Sequence, residues 1–294
     1  MKIFVTGGTG FIGRPIVDKL IAQGHIVGVL SRTMSKAKNQ KIKIINGDLA
    51  NISLWKNKLK RFKPDAAIHL AWEGLPDHSV RISRKNLEFG LNLTELLAEI
   101  GCKRMVAIGS CWEYGLHTGK IDEEAEIKPF DPFTAAKHSF HWLGKEIAKE
   151  GNMEFIWARL FYVYGPGQHP KSLVPHLIES AKLKKLPEIR NPDAENDFVF
   201  VNDAAEAMVR LVVNPLKRDV YNVGSGKLIH IADIIKQVSN KLNIQTNFKK
   251  AEKNYRDTAK SFYSDISKMK KDHKWKPETS ISKGVEQTIN SRDL

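Results

Sequence analysis

The sequence predicts an α/β fold, a doubly wound parallel sheet with a smaller lobe contributed by the later chain. Three observations carry this. Short apolar runs rich in β-branched residues alternate with longer stretches of helical period. The glycine-rich segment "FVTGGTGFIG" lies between the first run and the first helical stretch. After "YGPGQHP" at 164–170 the rhythm loosens, returns at "DFVFVNDAAEAMVRLV", and passes through "DVYNVGSG" into a lysine-rich region.

The expected strands, in order, are 2–6, 25–30, 42–45, 66–70, 105–110 and 155–160, each a compact run of apolar residues. Between them, 11–23 places Ile12, Ile16 and Leu20 on one stripe, and 83–99 and 133–149 are longer amphipathic helices. At 294 residues the chain can form one large domain or two that share a core.

Composition narrows the function classes. The stretch "FIWARLFYVYG" carries an arginine and ends in glycine well short of a membrane span, and the glycines of "KIFVTGGTG" interrupt any apolar signal core. A soluble cytoplasmic protein without a membrane partner is expected. Cys102 and Cys111 offer neither metal spacing nor a disulfide framework, which fits a reducing compartment. The formal charge of +14 would attract polyanions. Its surplus is mostly scattered lysine, as in "MSKAKNQKIK" and "SKMKKDHK", without interleaved aromatics, so solvated faces are the main reading and nucleic acid the minor one.

In the glycine-rich segment, Gly7 permits a tight turn, Gly10 lets backbone approach a pyrophosphate, and Gly13 lets helix and strand pack closely. Phe11 and Ile12, between Gly10 and Gly13, are expected among the cofactor contacts, and the following helix N-terminus supplies amide donors and a positive dipole end. The motif's place at the first strand-to-helix turn makes it a strong dinucleotide signature of a Rossmann-like sheet. A carboxylate at the end of the second strand would bind the adenosine ribose of NAD and repel a 2′-phosphate. The sequence there is "VLSRT", with Ser31 and Arg32 in those places, so NADP(H) is favoured over NAD(H). The competing reading makes Arg32 an ordinary surface arginine.

With these features the chain resembles the extended short-chain dehydrogenase/reductases, the branch that holds nucleotide-sugar epimerases, dehydratases and reductases. The resemblance rests on "TGGTGFIG", "NGDL" at 46–49, "DAAIHLAW" at 65–72, "GSCWEYG" at 109–115, "PFTAAK" at 132–137, "RLFYVYGPGQ" at 159–168, "DFVFVNDAAEA" at 197–207 and "YNVGSG" at 221–226. It implies a dinucleotide-binding domain from 1–165 and 196–224, and a nucleotide-sugar lobe from 166–195 and 225–294. It also implies cofactor contacts from Asp48, Leu49, Leu70, Ala71, Trp72 and Asn86. Ser110 matches the hydroxyl that polarises a substrate carbonyl, and Lys137 the lysine that holds the nicotinamide ribose. Trp112, Glu113 and Tyr162 fall on the substrate side, and Arg256 matches an arginine that grips the nucleotide diphosphate. Asn196 departs from the pattern, since a second arginine is common there. A homodimer formed through helices 83–99 and 133–149 is implied as well.

Phe133 stands where the family has its catalytic tyrosine. Reducing a ketone needs a hydride on carbon and a proton on oxygen, and phenylalanine has no proton to give. Losing a general acid typically slows a reaction ~10²- to 10⁴-fold, so the chain is expected to be slow or silent. Three explanations stand side by side: a substituted tyrosine, another acid or a water in its place, or a binding protein that has lost its chemistry. Tyr114 and Tyr164 match additional family tyrosines and read as structural. His138 and His141 read as a packed or solvated helix face, His69 as a satisfied core histidine, and Cys111 as a small buried residue.

The resemblance also bears on reaction type. Dehydratases carry an Asp-Glu pair directly after the catalytic hydroxyl residue, where this chain has Cys111 and Trp112, with Glu113 one place late. Relatives that act through cysteine place it where Trp112 stands. A keto reduction or a 4-epimerisation is left, and the NADP(H) reading favours NADPH-dependent reduction of a 4-keto-6-deoxy nucleotide sugar in deoxysugar biosynthesis for a surface polysaccharide or glycoconjugate. The alternative from another class is a non-catalytic dinucleotide-binding regulatory or RNA-associated protein. Steep loss of polyanion binding with salt distinguishes it.

Overall fold

A computed structural model describes residues 1–33, 39–183, 185, 187–189, 191, 193–243, 249–250 and 261–291. The strands in chain order are β1 Lys2–Thr6, β2 Ile26–Ser31, β3 Ile42–Asn46, β4 Ala66–His69, β5 Arg104–Ser110, β6 Gly119–Ile121, β7 Glu154–Leu160, β8 Tyr162–Tyr164, β9 Glu188–Ile189, β10 Glu195–Asn196, β11 Phe198–Phe200 and β12 Val220–Val223. Short strands β13 Ile229–His230, β14 Lys249–Lys250 and β15 Phe262–Ser264 follow. The helices are α1 Gly13–Ala22, α2 Lys56–Phe62, α3 Val80–Glu99, α4 Pro132–Glu150, α5 Leu173–Lys182, α6 Val201–Val213, α7 Ile231–Leu242, α8 Ser267–His273 and α9 Ile281–Ile289.

Seven strands form one parallel sheet in the order β12-β7-β5-β4-β1-β2-β3. Strand order reverses between β1 and β4, so their carboxyl ends open the crevice where such sheets bind ligands. Along β1 the side chains alternate, with Ile3 and Val5 in the core beneath α1 and α6, and Phe4 in the core beneath α3 and α4. A third cluster gathers Leu177 and Ile178 of α5, Ile234 and Val238 of α7, and Val285 of α9. Among the described residues no helix is long and apolar enough to cross a membrane.

All six expected strands are present with ends shifted by a residue or so. The seventh, β12, lies outside the expected set because its four residues include Asn222 in mid-strand, which weakens the apolar signal. That amide is buried and satisfied, donating to the Ile121 carbonyl at 3.1 Å and accepting from the Tyr114 hydroxyl at 2.7 Å. Helix α3 starts before residue 83 because Ser79 caps it, its hydroxyl accepting from the Ile82 amide. Asp131 and Pro132 open α4 as cap and first residue, and Thr134 returns a bond to complete a capping box.

Candidate functional site

The turn after β1 is shaped by what glycine alone allows. Gly7 has φ 69°, and a Cβ on it would stand 2.9 Å from the Ala71 amide nitrogen. A Cβ at Gly13 would meet the Gly7 carbonyl at 2.1 Å, so the helix starts pressed against the turn. The Gly10 amide donates to the Gly7 carbonyl at 3.0 Å. No side chain caps α1 and no acidic residue lies in its first turn, an arrangement suited to an anion. Phe11 and Ile12 pack, half-buried, against the third core cluster.

At the end of β2 the Ser31 hydroxyl donates to the Thr33 carbonyl at 3.0 Å, and Arg32 is exposed. The Asn46 amide donates to the Ser31 and Arg32 carbonyls, each at 3.3 Å, fixing this bend. Asp48 caps a short 3-10 helix by accepting from the Ala50 amide at 2.9 Å, with Leu49 half-buried beside it. After β4, Leu70 is buried and the Ala71 amide donates to the Thr6 hydroxyl at 3.3 Å. The buried Asn86 ties this loop together: it accepts from the Glu73 amide at 2.7 Å and donates to the Glu73 and Ile82 carbonyls. Its amide therefore shapes the loop that carries Trp72.

Ser110 ends β5 and caps the 3-10 turn Cys111–Tyr114, its hydroxyl accepting from the Trp112 amide at 3.2 Å. The indole of Trp112 donates to the Tyr162 hydroxyl at 3.0 Å. Glu113 differs from the expectation. It is 0% exposed, accepts from the Ser110 amide at 2.7 Å and from the Trp157 indole at 3.0 Å, and pairs with Arg159 at 3.4 Å. The capping turn directs it back under the sheet, so it supports Ser110 from behind and does not face a ligand.

Lys137, one turn after Phe133 on α4, is 4% exposed. Its amine donates to the Ile108 carbonyl at 2.8 Å and sits 4.0 Å from the centroid of the Trp72 ring. Burial pulls its pKa down from 10.5 to about 7, against the opposing pull of the Glu113 carboxylate. Phe133 meets Trp72 edge-on, ring centroids 5.3 Å apart. Ser110, Phe133, Lys137, Trp72 and Trp112 thus come from β4, β5 and α4 to one end of the sheet. Arg256 lies outside the described residues.

The other candidates occupy structural positions. His69 is buried, bonded to the Thr6 hydroxyl at 2.7 Å and lowered to about 3 by burial. Tyr114 donates to Asn222 and accepts from Arg159, and Tyr164 packs against Phe198 and Phe200. His141 stacks on Trp157, and burial pushes the Cys111 thiol well up. One residue at the site went unnoticed in the sequence: His78, on the loop between β4 and α3, stacks on Phe133 with centroids 4.5 Å apart. Loops at the carboxyl ends of parallel strands face the crevice, so a polar residue in "LPDHS" was the available signal.

Comparison with known proteins gives the family and the fold. The UDP-glucuronate 4-epimerase of Thermodesulfobacterium geofontis is 27% identical over 315 residues, covering 97% of this chain and 94% of that protein. A UDP-glucose 4-epimerase from Thermotoga maritima, solved with UDP-glucose, superposes with a TM-score of 0.89 at 24% identity over 98% of this chain and 97% of its own. A Tyr-to-Phe variant of a UDP-glucuronic acid 4-epimerase from Bacillus cereus, solved with UDP-4-deoxy-4-fluoro-glucuronic acid and NAD, superposes at 0.84 and 23% identity, covering 99% and 98%. The two structural likenesses establish the shared fold. Residues 3–224, which contain the glycine turn, Ser110, Phe133 and Lys137, match the family described as NAD dependent epimerase/dehydratase, and the chain belongs to that family.

Proposed function

We propose that the chain binds NADPH and a 4-keto-6-deoxy nucleotide sugar and reduces the keto group to the alcohol. The observation that carries this reading is the end of β2, where Ser31 and the exposed Arg32 stand in place of a carboxylate and would receive a 2′-phosphate. A reductase consumes NADPH and releases NADP, which suits such a site. An epimerase holds and recycles NAD. In this reading Ser110 polarises the carbonyl, Lys137 holds the nicotinamide ribose, and Trp112 and Tyr162 flank the sugar. The division into a dinucleotide domain and a nucleotide-sugar lobe follows the same reading. Trp142 on α4, 63% exposed, supports a homodimer through α3 and α4.

Two experiments test it. Incubation with NADPH and dTDP-4-keto-6-deoxyglucose should convert NADPH to NADP and the ketone to an alcohol in equal amounts, slowly with phenylalanine at 133 and ~10²- to 10⁴-fold faster in Phe133→Tyr. Arg32→Ala should weaken NADPH binding roughly 10-fold or more, the scale of a lost charge-assisted bond, and leave NADH binding unchanged, as read by cofactor fluorescence. Equal losses for both cofactors would reject the phosphate contact. The second reading, a nucleotide-sugar 4-epimerase with NAD, is favoured by what the relatives are called and by the NAD in the Bacillus cereus complex. It predicts interconversion of sugars with no net change in cofactor.

A further inference from the structure

The surplus of basic residues reads in the sequence as scattered lysine, but the fold gathers a large share of it on one face. Between positions 41 and 63 stand Lys41, Lys43, Lys56, Lys58, Lys60, Arg61 and Lys63, all exposed, against one carboxylate, Asp48. β3 is the edge strand of the sheet, and its alternation puts Lys43 on the side of Ile45, which packs in one core cluster with Leu59 and Phe62 of α2. Lys43 is in register with Gly28, where a Cβ would stand 2.9 Å from the Phe62 ring. The strand lysine therefore borders the helix, which turns Leu59 and Phe62 to the sheet and its cations outward.

Little on this face neutralises these charges. Lys60 pairs with Glu99 at 2.6 Å, and among the described residues no carboxylate pairs with the other six. Asp48 is turned to the Ala50 amide, and Asp65 accepts from the Lys2 amide. Lys41 precedes β3 and Lys63 precedes β4, so both lie at the amino ends of the strands, away from the crevice at the carboxyl ends. Just ahead of α2 stands Leu54, 78% exposed, the barest of the large apolar side chains described. Its neighbour Trp55 is fully buried, so the face offers an aliphatic contact and, among its described residues, no exposed ring on which a nucleic-acid base could stack.

We propose that this face of β3 and α2 seats the protein on an anionic membrane surface, with the cations against phosphate headgroups and Leu54 entering the boundary beneath them. A cluster of roughly four to eight Lys and Arg is what an anionic leaflet attracts, and an apolar side chain beside it adds buried area to the electrostatic attraction. Lysines on an edge strand also hinder pairing of strands between molecules, a role that the helix cations do not share. The contact is peripheral and reversible, and it weakens as salt screens the charges. It holds whether the crevice performs reduction or epimerisation.

The test uses the full chain in flotation with vesicles of phosphatidylcholine alone, or mixed in equal parts with phosphatidylglycerol, in low-salt buffer. Wild type should float with the anionic vesicles and not with the neutral ones, and added salt should release it. Lys43→Gln/Lys58→Gln/Arg61→Gln should weaken that binding ~10²-fold, and Leu54→Ser about 5- to 10-fold. The control Lys270→Gln/Lys271→Gln/Lys276→Gln removes the same charge from exposed positions on and after α8 and should bind as wild type. Thermal unfolding checks that every variant is folded. No flotation with anionic vesicles would overturn the proposal, and retention of single-stranded RNA by the same protein would then assign the face to nucleic acid. Equal flotation with neutral vesicles, or an equal loss in the control, would overturn it as well.

Discussion

Glu113→Ala should destabilise the protein by about 3–5 kcal/mol, the cost of leaving a buried charge without its partner. The charge left behind is the Arg159 guanidinium, whose side chain is 3% exposed and whose Nε lies 3.4 Å from the Glu113 Oε2. Arg159 keeps its bonds to the Tyr114 hydroxyl and the Glu123 carbonyl, but neither carries an opposing charge. The Ser110 amide and the Trp157 indole lose their acceptor at the same time. Glu113→Gln, which retains an acceptor oxygen, should cost less. Urea unfolding measures both. An alanine variant that unfolds at the wild-type midpoint would contradict a stabilising role for the buried Glu113–Arg159 pair.

Lys137→Met should remove a pH dependence of stability. The folded pKa is about 7 against an ordinary 10.5, because burial penalises the charged amine. Between those two values the unfolded chain binds a proton that the folded chain does not, so stability rises with pH across that window. Below about 7 both states are charged and the folded state carries the burial cost. One proton corresponds to a slope approaching ~1.4 kcal/mol per pH unit at mid-window. Denaturation between pH 7 and 10 should show this rise in the wild type and a flatter profile in the methionine variant. Equal slopes would contradict it. Under the proposed reading, turnover should fall roughly 10-fold on loss of the hydrogen bond expected with the nicotinamide ribose.

What the sequence revealed depended on how local each signal was. The strand β1, the glycine turn and helix α1 are consecutive, and their periodicity and spacing state their geometry directly. The absence of a phenol was equally legible, because Phe133 and Lys137 share one turn of α4. Glu113 was misread because spacing along a one-turn 3-10 helix does not say which way a side chain points. The Ser110 capping box turns it inward. His78 was missed because its partner Asp131 is 53 residues away and only the fold brings the two together. Asn222 hid β12 for the opposite reason, since a polar residue there is buried and paired with groups more than a hundred residues distant in sequence.

The reductase reading meets its most direct test in transfer of deuterium. NADPH carrying deuterium at the transferable position of the nicotinamide is supplied with dTDP-4-keto-6-deoxyglucose, and the sugar product is examined by mass spectrometry and NMR. The account predicts one deuterium at the former keto carbon for each NADP formed. Unlabelled products, with NADPH unconsumed and UDP-sugars interconverted in its absence, would contradict it and make the chain an epimerase.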